Sequence, residues 1–314
     1  MGNRPRVTVL GSLNMDISVT VPRLPEPGAT VLGSAARFTP GGKGANQAVA
    51  AARLGGSVRL AGCVGDDDFG RRLLAALADE GVDAGAVRTV TGTPTGLAMI
   101  SVDRAGENLI TVAPGANHEV SGDQAVAAAS DDDDILVICA EIPVPAIRSA
   151  LRARPSGARC VLNLAPAPEQ AAALMAGAAP DLDWLVVNET EAAAVLGRPV
   201  SGLADAGRAA GQLVAAGARH AVVTAGAHGA ALAQGAESAQ VIKAFPVEAV
   251  DTVGAGDTFV GALAVALAAG VPAAEAVRAA AAAGATAATR PGAQAGMPRP
   301  ADIAVTTGLP WPVP

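Results

Sequence analysis

The chain has no tyrosine, and only four phenylalanines and two tryptophans among its 314 residues. A core without aromatic bulk has to be built from Ala, Val and Leu, with helices lying close on a sheet. Cysteines number only three, Cys63, Cys139 and Cys160, all within apolar runs. Their odd number and wide spacing exclude a disulfide framework or a zinc site, and point to reduced thiols in a cytoplasmic protein. Positive charge is also scarce. A net charge of −7 argues against binding to nucleic acid, which needs clustered Lys and Arg. The start of the chain, Met1 to Arg6, runs into a short strand without the apolar segment of a signal peptide. No uncharged apolar run reaches membrane-spanning length. The Ala-rich stretch 273–289 is broken by Glu275, Arg278 and Gly284, so no membrane partner is expected.

What is present is an alternation. Val7–Leu10, Ile135–Ala140, Cys160–Leu164, Trp184–Val187 and Ala221–Thr224 are apolar runs of the kind buried on both faces of a parallel sheet. Between them lie helical patterns, among them Ala45–Leu54, Phe69–Glu80, Pro145–Ala153, Glu169–Ala176, Glu189–Leu196 and Leu203–Ala216. Phe69, Leu73 and Leu77 mark one apolar helix face. This order predicts an α/β fold, a doubly wound and mostly parallel sheet with helices on both faces and ligands at the carboxyl ends of the strands. Two segments depart from it. Residues 17–38 carry no helical period, and Gly96–Val102 and Asn108–Val112 are strands joined by the tight turn Asp103–Gly106. Together they predict a small separate β-sheet, a candidate lid or dimer surface. A further hairpin is expected from Ala230–Ala233 and Gln240–Phe245. The acid run Asp131–Asp134 reads as a solvated loop.

The densest chemistry lies in Asp251-Thr-Val-Gly-Ala-Gly-Asp257-Thr-Phe259, just before an expected helix over 258–269. Gly254 and Gly256 permit backbone conformations closed to other residues, and a helix N-terminus favours an anion. Asp257 would sit at the mouth of that site as a base, or else merely cap the helix. A second cluster, Pro40-Gly-Gly-Lys-Gly-Ala-Asn46-Gln47, is not a Walker loop, since Arg37 and Gly44 stand where Gly and Ser or Thr belong. No G-x-G-x-x-G pattern occurs there or at Gly11-Ser-Leu-Asn14, so a nicotinamide site is unsupported. Asn14 and Asp16 after the first strand, with Lys43 and Asn46, suit a polyhydroxyl ligand, whose hydroxyls need donors and acceptors. Asn14 and Asp16 otherwise only shape a turn. Glu141 ends another strand, as a ligand contact or a loop charge. Asn188 and Glu191 form either a capping box or a pair facing hydrated Mg²⁺ and phosphate. Thr224, Gly226 and Gly229 follow the next strand, where a nucleotide could lie. The histidines have no metal-ligand spacing.

Four of these segments, 11–16, 41–48, 188–191 and 251–259, together resemble the ribokinase family of carbohydrate kinases, the PfkB type, in order and spacing over nearly the whole chain. Gly106-Glu-Asn-Leu-Ile and Pro114-Gly-Ala-Asn117 are similar to ribokinases proper. The resemblance implies one domain over 1–314 with a discontinuous β lid from about 14–40 and 94–113, often pairing into a homodimer. It implies ATP-dependent phosphorylation of the ribose 5-hydroxyl. By motif position, Asn14, Asp16, Gly42, Lys43, Asn46 and Glu141 would hold the sugar. Asn188, Thr224, Gly226 and Gly229 would hold ATP, with Glu191 acting through Mg²⁺. Gly254, Ala255 and Gly256 would form the anion hole beside the base, Asp257. A monovalent cation, K⁺ in the family, would be held at Asp251, Val253, Ala287, Arg290, Gly292 and Gly296. Gly296 departs from the serine common there. Ala280 falls where relatives carry a larger side chain beside adenine. The rival readings are a kinase of another sugar or nucleoside, and a non-catalytic sensor.

Overall fold

In a computed structural model, residues 4–313 are described except 131–132, 156, 170, 179–181 and 236. The chain opens with β1 (Arg6–Leu10), β2 (Asn14–Thr20), β3 (Arg37–Gly41), α1 (Lys43–Arg53), β4 (Ser57–Gly65), α2 (Asp68–Asp79), β5 (Asp83–Val90), β6 (Gly96–Val102) and β7 (Asn108–Ala113). It continues through α3 (Gly122–Ala129), β8 (Ile135–Cys139), α4 (Val144–Ala153), β9 (Arg159–Asn163), α5 (Ala171–Ala178), β10 (Trp184–Asn188), α6 (Glu189–Leu196), α7 (Gly202–Ala215) and β11 (His220–Thr224). The last part holds β12 (Gly229–Gln234), β13 (Gln240–Lys243), α8 (Ala255–Ala268), α9 (Ala273–Ala288), α10 (Ala293–Gly296) and α11 (Pro300–Thr307).

Among the described residues, nine strands form one sheet in the order β13-β12-β11-β10-β9-β8-β1-β4-β5. Pairing is parallel from β5 through β11 and antiparallel for β12 and β13 at the far edge. The apolar runs are its buried strands, as their composition predicts. The predicted doubly wound sheet is therefore present, and so is the hairpin at residues 229–243. From β1 the chain first builds outward through β4 and β5, then returns to β8 and builds the other way. The order reverses beside β1, and polar residues just past β1 and β8 share one crevice there. Strands β4 and β5 are not among the expected strands, and α9 reads in the sequence only as an alanine stretch.

The smaller sheet runs β3-β2-β6-β7. Its turn at Asp103–Gly106 closes through the Gly106 N–H to the Asp103 carbonyl at 3.1 Å, with Gly106 at φ 85°. Phe38 on this sheet stacks on Phe69 of α2, ring centroids 6.0 Å apart. Strand β7 is exposed along its length, and Leu109, Ile110 and Val112 are among its exposed residues.

Helix α8 is buried almost all round, from Asp257 to Leu267. It packs so tightly on α1 that a Cβ on Gly261 would stand 2.6 Å from the Gln47 carbonyl oxygen. Asp133 and Asp134 of the acid run differ from the expected solvated loop: they pair with Arg59 at 3.6 Å and Arg6 at 3.2 Å, which offsets their like charges. Asp131 and Asp132 lie outside the described residues. Cys63, Cys139 and Cys160 are buried free thiols, as expected. Among the described residues no helix is long and apolar enough to cross a membrane.

Candidate active site

The loops after β1 and β8 meet at the switch point. Ser12 Oγ donates to Glu141 Oε2 at 2.5 Å, and the same carboxylate oxygen accepts the Lys43 backbone N–H at 3.2 Å. Ser12 Oγ in turn accepts the Gly44 N–H at 3.3 Å. The start of α1 is thereby laid against both strand ends. Gly42 precedes it at φ 88°, and an added Cβ would lie 2.5 Å from the Asn14 nitrogen. A Cβ on Gly41 would collide with the Asp16 carboxylate. Asn14 and Asp16 are both buried. Asn117 holds Asn14 in place, its Nδ2 donating to Asn14 Oδ1 at 2.7 Å while its Oδ1 accepts the Leu13 N–H at 2.9 Å. Asn14, Asp16, Gly42, Lys43 and Glu141 are thus gathered into one crevice.

Asp257 closes the far side of this crevice. The helix expected over 258–269 begins earlier, so Gly254 is its N-cap at φ 77° and Asp257 lies within its first turn. The reason is the glycine pair, which lets the backbone enter the helix before the apolar run begins. Asp257 therefore does not cap the helix. Its carboxylate, buried at 7% exposure, takes side-chain donors from α1 instead. Asn46 Nδ2 donates to Asp257 Oδ2 at 2.9 Å, and Gln47 Nε2 donates to Asp257 Oδ1 at 3.2 Å. Asn46 Oδ1 accepts from Gln294 Nε2 at 3.0 Å.

Charge in the crevice is predominantly negative around one lysine. Asp257 foremost, with Glu141 and Glu191, raises the Lys43 ammonium above its ordinary value although burial opposes this. Burial, followed by the charges of Glu141 and Asp257, pushes the Asp16 carboxyl up to about 7, with Lys43 pulling the other way. Burial also raises Glu191, opposed by the Asn188 backbone N–H and by Lys43. Such a set favours a hydroxyl-rich neutral guest over a further anion.

Beside Asp257, the parallel strands β9, β10 and β11 end in Asn163, Asn188 and Thr224 along one sheet edge. Asn188 and Glu191 make the reciprocal capping box, each backbone N–H donating to the other's side chain at 2.8 Å. Both also line a cavity of about 200 Å³ with Lys43, Thr224, Gly254, Gly256 and Asp257. The capping-box reading of this pair is realised. A second cavity of about 400 Å³ continues from Gly256 past Thr224, Gly226 and Gly229 to Ala281, Gly284 and Ala288. Its walls are mostly small and apolar, suited to a flat ring system. Ala280 is buried in the core and does not line it. Gly229, at φ 118°, also meets a structural need, because a Cβ there would strike the Ile242 carbonyl oxygen.

The last predicted group lies behind the start of α8. Asp251 accepts the Val253 N–H at 3.0 Å and the Gly292 N–H at 2.8 Å. The Arg290 guanidinium turns away to Asp302 at 2.8 Å. The carbonyl oxygens of Arg290 and Ala287 stand 3.1 and 3.3 Å from where a Gly296 Cβ would be. Both oxygens thus face Gly296, and that of Ala287 also accepts the Arg290 N–H at 3.1 Å. A side chain at Gly296 would press closely on both. Gly254 is tied to this region too, since its Cβ would lie 2.9 Å from Ala293 Cα.

Residues 4–300 match the family model described as pfkB family carbohydrate kinase. The chain belongs to that family. The kinase is 38% identical over 300 residues to the ribokinase of Haemophilus influenzae, covering 94% of this chain and 96% of the relative. It is 33% identical over 261 residues to a deoxyribokinase of Salmonella typhi, covering 82% and 84%. The structure of Arabidopsis thaliana ribokinase complexed with ribose and ATP aligns with a TM-score of 0.84 at 31% identity, over 96% of this chain and 98% of that one. The kinase thus has the ribokinase-like fold, with its small sheet set apart from the large one. Sequence reasoning passed over four residues of the site. Ser12, Gln47, Asn117 and Gln294 act on other side chains rather than facing the crevice by themselves. The one available signal was a polar residue inside an otherwise standard run, as with Asn163 in Cys160–Leu164.

Proposed function

We propose that this kinase transfers the γ-phosphoryl group of ATP to the 5-hydroxyl of D-ribose, giving ribose 5-phosphate and ADP. One observation carries the reading: Asp257 lies in the first turn of α8, at the junction of the polar crevice and the glycine-lined cavity. Asn14, Asp16, Gly42, Lys43, Asn46 and Glu141 hold the sugar hydroxyls, supplying donors and acceptors. Thr224, Gly226, Gly229 and Asn188 border the nucleotide, its base in the apolar cavity. Asp257 takes the hydroxyl proton as oxygen attacks the γ-phosphorus. The N–H groups of Gly254, Ala255 and Gly256 then meet the charge growing on the transferred group, helped by the helix dipole. Such transfer needs positioning and charge stabilisation more than covalent chemistry.

Glu191 would act toward a bound Mg²⁺, whose chemistry there would be to neutralise phosphate charge. Asp251 and the carbonyls of Val253, Ala287, Arg290 and Gly292 would hold a monovalent cation such as K⁺, which fixes the loop behind the anion-binding turn. Gly296 leaves one ligand fewer than a serine would.

The whole chain acts as one domain with residues 14–40 and 94–113 as a lid over the sugar. Met99, Leu109 and Ile110 on that sheet are exposed apolar residues fit to pair two copies into a homodimer. The buried thiols accord with a cytoplasmic setting.

The likeness to a deoxyribokinase favours a second reading, in which 2-deoxyribose is the better acceptor. A coupled ADP-release assay on ribose, deoxyribose, fructose and adenosine, with and without potassium, decides among them. Ribose is expected to give the highest kcat/KM. Preference for another acceptor replaces the substrate, and no ADP release with any of them removes the kinase reading in favour of a sensor.

A further inference from the structure

One member of the polar chain around Asp257 has no part in holding sugar or nucleotide. Gln47 follows Asn46 on α1 and is wholly buried, at 0% exposure. Its Nε2 donates to Asp257 Oδ1 at 3.2 Å and to Asn163 Oδ1 at 2.9 Å. The polarity of this chain is fixed from its far end. Asn163 Nδ2 donates to the Val186 backbone carbonyl at 3.2 Å, and a carbonyl can only accept. Asn163 must then turn its oxygen to Gln47, and Gln47 must turn its NH₂ to both acceptors. Both amide hydrogens are used.

Its oxygen is not. Gln47 Oε1 has no hydrogen-bond partner among the described residues. A buried acceptor left this way costs about 1–3 kcal/mol, set against the two bonds that the NH₂ group makes. Of those two bonds, the one to Asp257 reaches the crevice.

We propose that Gln47 is a positioning residue for the catalytic base. Together with Asn46 it places one N–H on each carboxylate oxygen, so the Asp257 carboxylate cannot rotate away from the sugar hydroxyl. Through Asn163 it braces that carboxylate on β9 and β10, at the edge of the large sheet. This inference rests on Asp257 being the base. The charged groups that share the crevice with Asp257 are Lys43 of α1, Asp16 of β2, Glu191 of α6 and Glu141. Gln47 is hydrogen-bonded to none of them, so replacing it by a neutral residue alters the carboxylate's donor without altering any charge.

The test compares Gln47→Met, which keeps length and removes both donors, with Gln47→Glu, which keeps shape and adds a like charge. For Gln47→Met, kcat is expected to fall about 10–100-fold, the usual effect of removing an outer-shell partner. KM for sugar and for ATP should each change by less than about threefold, because the lost interaction orients the base and does not bind substrate. The acid limb of the kcat profile should move to higher pH, because an N–H donor favours an ionised carboxylate. Gln47→Glu should move that limb further in the same direction. Circular dichroism and thermal midpoints verify folding. If Gln47→Met does not fold, the limb of Gln47→Glu carries the test. An unmoved acid limb in the folded variants, or a lowered midpoint with unchanged kcat, overturns the proposal. Asp257→Asn measured alongside separates the two levels: full turnover there removes the base and this role with it. Loss of turnover there with normal Gln47 variants removes only the role of Gln47.

Discussion

Ser12 Oγ and Glu141 Oε2, 2.5 Å apart, join the loop after β1 to the loop after β8 across the point where strand order reverses. The bond also aims Glu141, whose oxygen steadies the first turn of α1 through the Lys43 N–H. Ser12→Ala removes a buried donor to a carboxylate, a loss of about 1–3 kcal/mol. Sugar KM is expected to rise roughly tenfold, the factor that 1.4 kcal/mol represents. ATP KM should change much less. Steady-state kinetics with each substrate varied in turn checks this, and equal rises in both would contradict it.

Asp257→Asn keeps the shape of the side chain and removes its basicity. A lost general base lowers kcat by about 10²–10⁴-fold. Nucleotide binding should be little changed, because the amides of the α8 first turn remain. Isothermal titration with a non-hydrolysable ATP analogue, run beside the turnover assay, separates the two effects.

The two glycines before and within α8 should fail differently. Gly254 holds φ 77° and its Cβ would press on Ala293, so Gly254→Ala strains the backbone and shifts the α8 N-terminus. Strain of this kind costs about 1–3 kcal/mol, visible as a lower thermal midpoint together with lower kcat. A Cβ on Gly256 meets nothing within 4 Å. In a helix, alanine gains about 0.5–1 kcal/mol over glycine, so Gly256→Ala should hold or raise the midpoint. The new methyl would still crowd the phosphate, and kcat/KM for ATP should drop.

Asp16 makes the ligand-free fold pH-sensitive. Its carboxyl is raised from 3.8 to about 7, so the folded chain keeps a proton that the unfolded chain has released. Its contribution to stability is complete below the unfolded value and is lost as pH climbs to about 7. Asp16→Asn removes that loss. Its thermal midpoint should exceed the parent's at pH 8, on the order of 2–4 °C for each kcal/mol regained, with the gap closing towards pH 4. Differential scanning fluorimetry without ligand measures it. A gap that stays constant with pH would contradict the assignment.

Much of this architecture could be read from the sequence because parallel strands buried on both faces leave unbroken apolar runs, as β8 and β10 do. Strand β5 escaped because it is an edge strand, half-exposed and carrying Asp83 and Arg88. Strand β4 escaped although Leu60–Val64 is apolar, because Gly62 and Gly65 within it read as turn residues. The crevice residues were legible where glycine spacing marked them, at Gly41–Asn46 and Gly254–Asp257. What spacing could not reveal was pairing across the chain. Ser12 with Glu141, Asn46 with Gln294 and Gln47 with Asn163 are each separated by more than a hundred residues, and only the fold brings them within a hydrogen bond. The helix boundary at Ala255 was missed because a glycine-rich entry looks the same as a loop until the left-handed cap at Gly254 is seen.

The burial of α8 has a mechanical consequence. The Asp257 carboxylate rides on a helix wedged against α1 through Gly261 and buried on nearly every face. Asn14 and Asp16, by contrast, belong to the smaller sheet. If the proposed reaction holds, a closing movement of the smaller sheet would bring Asn14 and Asp16 toward a carboxylate fixed on the larger body, where Lys43, Asn46 and Glu141 already stand.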